Sequence, residues 1–373
     1  MNYFIGILFI LSVVFSACSS NEEEQYKRTI IVYLGRDNNL SGSGEDKISS
    51  MLEGWDGEHG NLIVYQDIAG GKSSLLQAYR QNGTNDVKTI YENENENSAD
   101  PDVFRRVIHD AITFYPADSY GLILFSHATG WLPELTYSSP RSLIIDTGED
   151  EQKEMELKDF AAAIPDGCFD FIIFEACYMA GIEVAYELKD KTDYILASSA
   201  EIVSPGFKEI YASSFNKLFT REAHLKSFTE DIYNLFSTSD AYYKSGTFSL
   251  IRTVGLRDLA NYLNANIDIT QTVDMNDIQS FDTKRYYHLF FDFEDCYSRI
   301  LKSQTLHEEL TKLIDNCIIY KGATPLYFDN NPSWGGFVIN HHSGLTTYIP
   351  REQFPYLNKA YREYLWYKDV FEK

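Results

Sequence analysis

The chain has 373 residues, of which 44% are hydrophobic and 15% aromatic, enough for a sizeable packed core and too many for disorder of the whole. Fifty-five acidic residues against 32 basic ones leave a formal charge of −23, so no basic stripe exists to neutralise phosphates and a nucleic-acid partner is excluded. The same acidity keeps an exported protein soluble and mildly favours cationic substrates.

Residues 3–17 form an apolar run of signal-peptide length, too short to span a bilayer comfortably. The run ends in Phe15-Ser16-Ala17-Cys18, and small residues before a cysteine resemble a bacterial lipobox. That resemblance implies cleavage before Cys18 and a lipid on its thiol. Residues 1–17 are thus expected to be a lipoprotein signal peptide and 18–27 a solvated tether, acidic at Glu22, Glu23 and Glu24. The tether resembles the export signals of Bacteroidetes-type surface lipoproteins. The expected location is exported, anchored through lipid to the outer membrane or cell surface.

After the tether, residues 29–34 are apolar and rich in β-branched types, which predicts a buried strand. Residues 61–65 predict a second. Residues 74–79 and 87–91 predict an outer pair of strands joined across Asn82-Gly83. Apolar positions at helical spacing over 102–114 predict a helix started by Asp100-Pro101. Residues 120–125 are almost continuously apolar, as in parallel strands covered on both faces, and they deliver Ser126-His127 at their C-terminal end. Residues 132–154 are mostly polar and predict an exposed loop, followed by a helix over 155–164. A second apolar run, 169–174, delivers Glu175-Ala176-Cys177. A helix over 178–189 and a strand over 194–197 complete a βαβαβ alternation. Beyond 215 the pattern turns to helices near 215–236 and 256–265, with irregular aromatic stretches. The fold class is therefore α/β, a mostly parallel sheet flanked by helices. Its core spans 28–215, and a helix-rich C-terminal region, 216–373, packs on it.

In an open parallel sheet the strand C-termini share one edge, where ligands bind, and His127 and Cys177 both lie there. A cysteine that starts a helix feels the positive end of its dipole, and a nearby imidazole can take its proton. Gly130 lets backbone approach closely, and N–H groups at Ala128 and Gly130 are candidates to hold an oxyanion. Cys168, Cys296 and Cys317 are too scattered for a disulfide framework, and no histidine or cysteine spacing suits a metal. The residues require no cofactor.

The segment Ser126-His127-Ala128-Thr129-Gly130-Trp131 resembles the His-Gly-x-Gly-Trp segment of clostripain-family cysteine peptidases. Phe174-Glu175-Ala176-Cys177-Tyr178-Met179 resembles their Phe-Asp-Ala-Cys-Leu-Met, and Glu183 fits the acidic residue that follows. The similarity runs back to Tyr33-Leu34-Gly35-Arg36-Asp37-Asn38-Asn39-Leu40 and forward to Pro205-Gly206, and it is loose in the C-terminal half. It implies a caspase-like fold, a dyad of Cys177 as nucleophile and His127 as general base, and protein or peptide substrates. It is compatible with calcium as a cofactor.

Three departures from the family pattern bear on function. Ala128 stands where the family has glycine, which matters if that position needs positive φ. Glu175 stands for the aspartate that helps select Arg or Lys before the scissile bond, so the charge shifts by about one methylene. Near residues 203–207 no second aspartate is present, which leaves Glu201 as the other acidic candidate. With Glu175 and Glu201 facing the cleft, cleavage after Arg, or Lys, is expected. The alternative reading is a catalytically weak or inactive clostripain-like surface-binding lipoprotein.

Overall fold

The apolar runs assemble one nine-stranded sheet in a computed structural model that describes residues 26–36, 40–94, 96–134, 136, 143–146, 153–240, 244–267, 273–282 and 287–372. The signal peptide, Cys18 and most of the tether lie outside the described residues. The nine strands of this sheet and three short strands outside it are, in chain order, β1 (Arg28–Arg36), β2 (Gly60–Ile68), β3 (Ser73–Gln81), β4 (Thr84–Asn93), β5 (Ser119–Phe125), β6 (Ile144–Asp146), β7 (Lys153–Met155), β8 (Phe169–Glu175), β9 (Thr192–Ser198), β10 (Thr247–Arg252), β11 (Phe291–Asp292) and β12 (Ile318–Ala323), with β6, β7 and β11 the short ones. The sheet order is β12-β10-β9-β8-β5-β1-β2-β3-β4. Pairing from β9 through β8, β5 and β1 to β2 is parallel, and both flanks are antiparallel.

The central strands are apolar without alternation because both faces are covered. Adjacent side chains of one strand leave on opposite faces, and β8 shows which elements cover each. Phe174 packs on Phe160 of α3 (Leu157–Ala163), whereas Glu175 meets Lys47 of α1 (Gly44–Gly54) and Tyr211 of α5 (Lys208–Ser214). The first face also carries α2 (Pro101–Phe114), whose Phe104 touches Phe160 and Tyr33. Asp100 caps α2 as the sequence predicts, accepting the Asp102 N–H at 2.8 Å with Pro101 in the first turn. The outer hairpin turns at Asn82 and Gly83, both left-handed at φ 52° and 82°, the conformation that Asn-Gly favours.

The sheet extends past residue 215. Strand β10 pairs with β9, and β12 pairs with β10, so the C-terminal stretch supplies two strands as well as helices α6 (Leu225–Thr238), α7 (Leu256–Asn266), α8 (Phe293–Ile300), α9 (Gln304–Cys317), α10 (Pro355–Tyr361) and α11 (Leu365–Phe371). The expected exposed loop over 132–154 is corrected in part. Leu132, Leu143, Ile144 and Ile145 are buried, and β6 pairs with β7, because an apolar trio inside a polar stretch seals the sheet edge beside Gly35 and Ser126. Among the described residues no helix is long and apolar enough to cross a membrane.

Candidate active site

Strands β5 and β8 are hydrogen-bonded in parallel with Phe125 level with Glu175. His127 and Cys177 each follow two residues later, so both lie just past the C-terminal ends of adjacent strands. The two loops touch. Gly130, left-handed at φ 63°, lies so close to the Tyr178 carbonyl that a Cβ there would stand 2.7 Å from its oxygen. Glycine is required on both counts. Ala128 is buried, and its backbone is not left-handed, so its methyl group imposes no strain of that kind.

The Cys177 sulfur accepts the Ile202 N–H at 3.3 Å. This N–H points at the atom that would carry negative charge, which favours thiolate. The expected helix beginning at Tyr178 is corrected: the helix after Cys177 is α4 (Ile182–Glu187), six residues long and opening only at Ile182. Cys177 lies in a turn instead. Tyr178 is left-handed at φ 60°, a costly conformation for a bulky residue, and its N–H bonds the Ala200 carbonyl at 3.1 Å. Ala180 N–H similarly reaches the Ser198 carbonyl at 2.9 Å. These cross-strand bonds consume donors that would otherwise open a helix, and they withdraw Tyr178 N–H from any oxyanion role. The Tyr178 ring stacks on Phe290, with centroids 4.4 Å apart.

Trp131, next to Gly130, is buried among Tyr348, Tyr361 and Tyr364, and its carbonyl accepts the Tyr364 hydroxyl at 2.9 Å. The C-terminal helices therefore brace the histidine loop directly. The other cysteines are poor nucleophiles by environment. Burial pushes the thiols of Cys168 and Cys317 up to about 11 and that of Cys296 higher still.

The two candidate substrate carboxylates differ in fate. Glu201 is half-buried and accepts the Tyr178 hydroxyl at 3.3 Å. Glu175 does not face an open cleft, which corrects the expectation. It is buried, ion-paired with Lys47, and accepts Phe207 N–H and the Tyr211 hydroxyl, each at 2.7 Å. A carboxylate this deep needs a counter-charge, and the chain supplies one internally. Sequence reasoning does not find Lys47. The available signal is a lysine on the same buried α1 stripe as Ile48 and Met51. Among the described residues no group of three or more His, Cys, Asp or Glu is arranged to hold a metal ion.

The clostripain family profile, peptidase family C11, matches residues 32–328. Clostripain of Hathewaya histolytica is 29% identical over 237 residues, 54% of this chain and 43% of that protein, so the chain matches less than half of that relative's length. The inactive zymogen of a C11 protease from Parabacteroides distasonis superposes with a TM-score of 0.81 at 31% identity, over 92% of this chain and 98% of the other. A secreted C11 cysteine protease from Bacteroides thetaiotaomicron, solved with an irreversible peptide inhibitor, gives 0.81 at 28% identity over 92% and 99%.

Proposed function

The chain belongs to the clostripain family, and from that premise we propose that it is a cysteine endopeptidase with Cys177 as nucleophile and His127 as general base. The observation that carries the reading is the β5–β8 register, which aligns the two residues beyond adjacent strand ends. His127 takes the thiol proton, the thiolate attacks the scissile carbonyl, and N–H groups of the loop holding Ala128 and Gly130 steady the oxyanion. The protonated imidazole then delivers its proton to the departing amine. Water, deprotonated by the same imidazole, hydrolyses the thioester. Glu201 is left as the carboxylate that favours Arg, or Lys, before the scissile bond.

The test is labelling by a peptidyl acyloxymethyl ketone followed by mass mapping. A single adduct on Cys177, lost in Cys177→Ala and slowed at least about tenfold in His127→Ala, is expected. The buried state of Glu175 favours the second reading, a weak or inactive surface-binding protein, and a folded chain with unlabelled Cys177 would rule out the peptidase reading. We also propose a lipid anchor at Cys18, from the sequence of residues 3–18 alone; the secreted relative supports export but says nothing of a lipid. Palmitate incorporation should be seen in cells and vanish in Cys18→Ser; incorporation that persists would rule out this attachment site.

A further inference from the structure

The segment 202–207 touches both the nucleophile and the buried ion pair. At one end Ile202 N–H meets the Cys177 sulfur at 3.3 Å. At the other, the Pro205 carbonyl accepts from Lys47 Nζ at 3.1 Å, and Phe207 N–H donates to Glu175. Lys47 Nζ also sits over the Phe125 ring, 4.3 Å from its centroid. The ammonium therefore bridges the last residues of β5 and β8, just below the loops that carry His127 and Cys177. Gly206 closes the arrangement, since a Cβ there would lie 2.1 Å from Glu175 Oε1.

A substrate cation reaching toward Glu175 would have to displace a lysine that is already desolvated, ion-paired and bonded to a carbonyl. A substrate side chain bears the cost of its own ordering and desolvation, whereas Lys47 is held by its helix. Substrate arginine is thus denied the partner that a carboxylate two residues before a nucleophile would otherwise offer.

We propose that Lys47 is a specificity-determining residue that occupies Glu175 and holds the selectivity for basic residues down. The proposal rests on the peptidase reading above. Lys47 acts through Glu175, so its effect is read as a ratio between substrates, which a general loss of structure would not move. Arginine preference in the wild type then falls to the half-buried Glu201, and uncharged residues before the scissile bond are turned over as well.

The experiment measures kcat/KM for peptides differing only in Arg, Gln or Leu before the scissile bond. Wild type is expected to favour Arg over Gln by less than about tenfold, as a solvated ion pair allows, and Glu201→Gln should remove most of that preference. Lys47→Ala removes both the counter-charge and the stem that fills the space beside Glu175 and should raise the Arg to Gln ratio at least about tenfold, and Lys47→Ala with Glu175→Gln should return it to the wild-type value. A wild-type preference above about tenfold that survives Glu201→Gln would overturn the proposal, because Glu175 would then be the recognition group despite Lys47. That arm needs no change at Lys47, so it stands even if the Lys47 variants do not fold. An unchanged ratio in folded Lys47→Ala would overturn it as well. Hydrolysis of none of the peptides, with Cys177 unlabelled by the ketone, would instead fail the peptidase reading and take this proposal with it.

Discussion

Cys177→Ala is expected to lower kcat for peptide hydrolysis by at least about 10⁴-fold while the melting temperature moves by no more than a few degrees. The size follows from the dyad acting as a unit: without sulfur no thioester forms, and His127 has only water to activate. The small structural effect follows from packing. Cys177 is half-buried in a turn, and its side chain is small, although it gives up the bond from Ile202 N–H at 3.3 Å. Cys168→Ala and Cys317→Ala should keep activity, because burial holds those thiols near 11 and both lie away from the β5 and β8 C-terminal ends. Initial rates and thermal melts of the variants decide the matter. Residual turnover in Cys177→Ala together with loss in Cys296→Ala would move the nucleophile to another residue.

The elements that carry this site are legible because their signals are local. Residues 120–125 and 169–174 are apolar at nearly every step, which suits a strand covered on both faces, and each run is followed within three residues by a chemically distinctive one, His127 or Cys177. Asn82-Gly83 and Asp100-Pro101 are short-range signals of the same kind. What is not legible depends on partners far along the chain. Tyr178 reads as the start of a helix until its N–H is taken by Ala200 and the turn is held left-handed. Glu175 reads as a strand-end carboxylate until Lys47, 128 residues earlier, is folded onto it. Strands β10 and β12 carry β-forming residues, Phe248, Leu250 and Ile251 in one and Ile318, Ile319 and Tyr320 in the other, but these runs are short and follow helical stretches, so they are not told apart from helix segments by pattern alone and the antiparallel edge they form is missed. A charged residue on the inward stripe of an amphipathic helix signals a buried partner even when that partner cannot be named from sequence.

Stability is expected to fall as pH rises from about 4.5 to about 7, by a component that Glu183→Gln removes. Glu183 is buried on α4, just beyond the nucleophile turn, where desolvation pushes its carboxyl up to about 7 despite the Tyr348 N–H at 2.8 Å and the Thr347 hydroxyl at 3.2 Å, which favour the anion. The folded value lies above the unfolded value of 4.5. Between the two, the folded chain holds a proton that the unfolded chain has released, so stability is highest below 4.5, declines through the window, and levels off above 7. The full span is worth roughly 3 kcal/mol. Glutamine keeps an acceptor for Tyr348 and carries no charge, so the variant should match the wild type near pH 4.5 and exceed it at about pH 8. Denaturant titrations of both proteins at about pH 4.5, 6, 7 and 8 measure the difference, in which other titrating groups cancel. A difference that does not change with pH would show that Glu183 is not the group responsible. The consequence for the site follows from the contacts: Glu183 ties α4 to the Thr347-Tyr348 segment, Gly181 bridges to Thr346, and the Tyr348 ring packs on Trp131. Ionising this one carboxyl thus places an uncompensated desolvation cost at the joint between the C-terminal region and both loops that carry His127 and Cys177, even though the two bonds it accepts favour the anion.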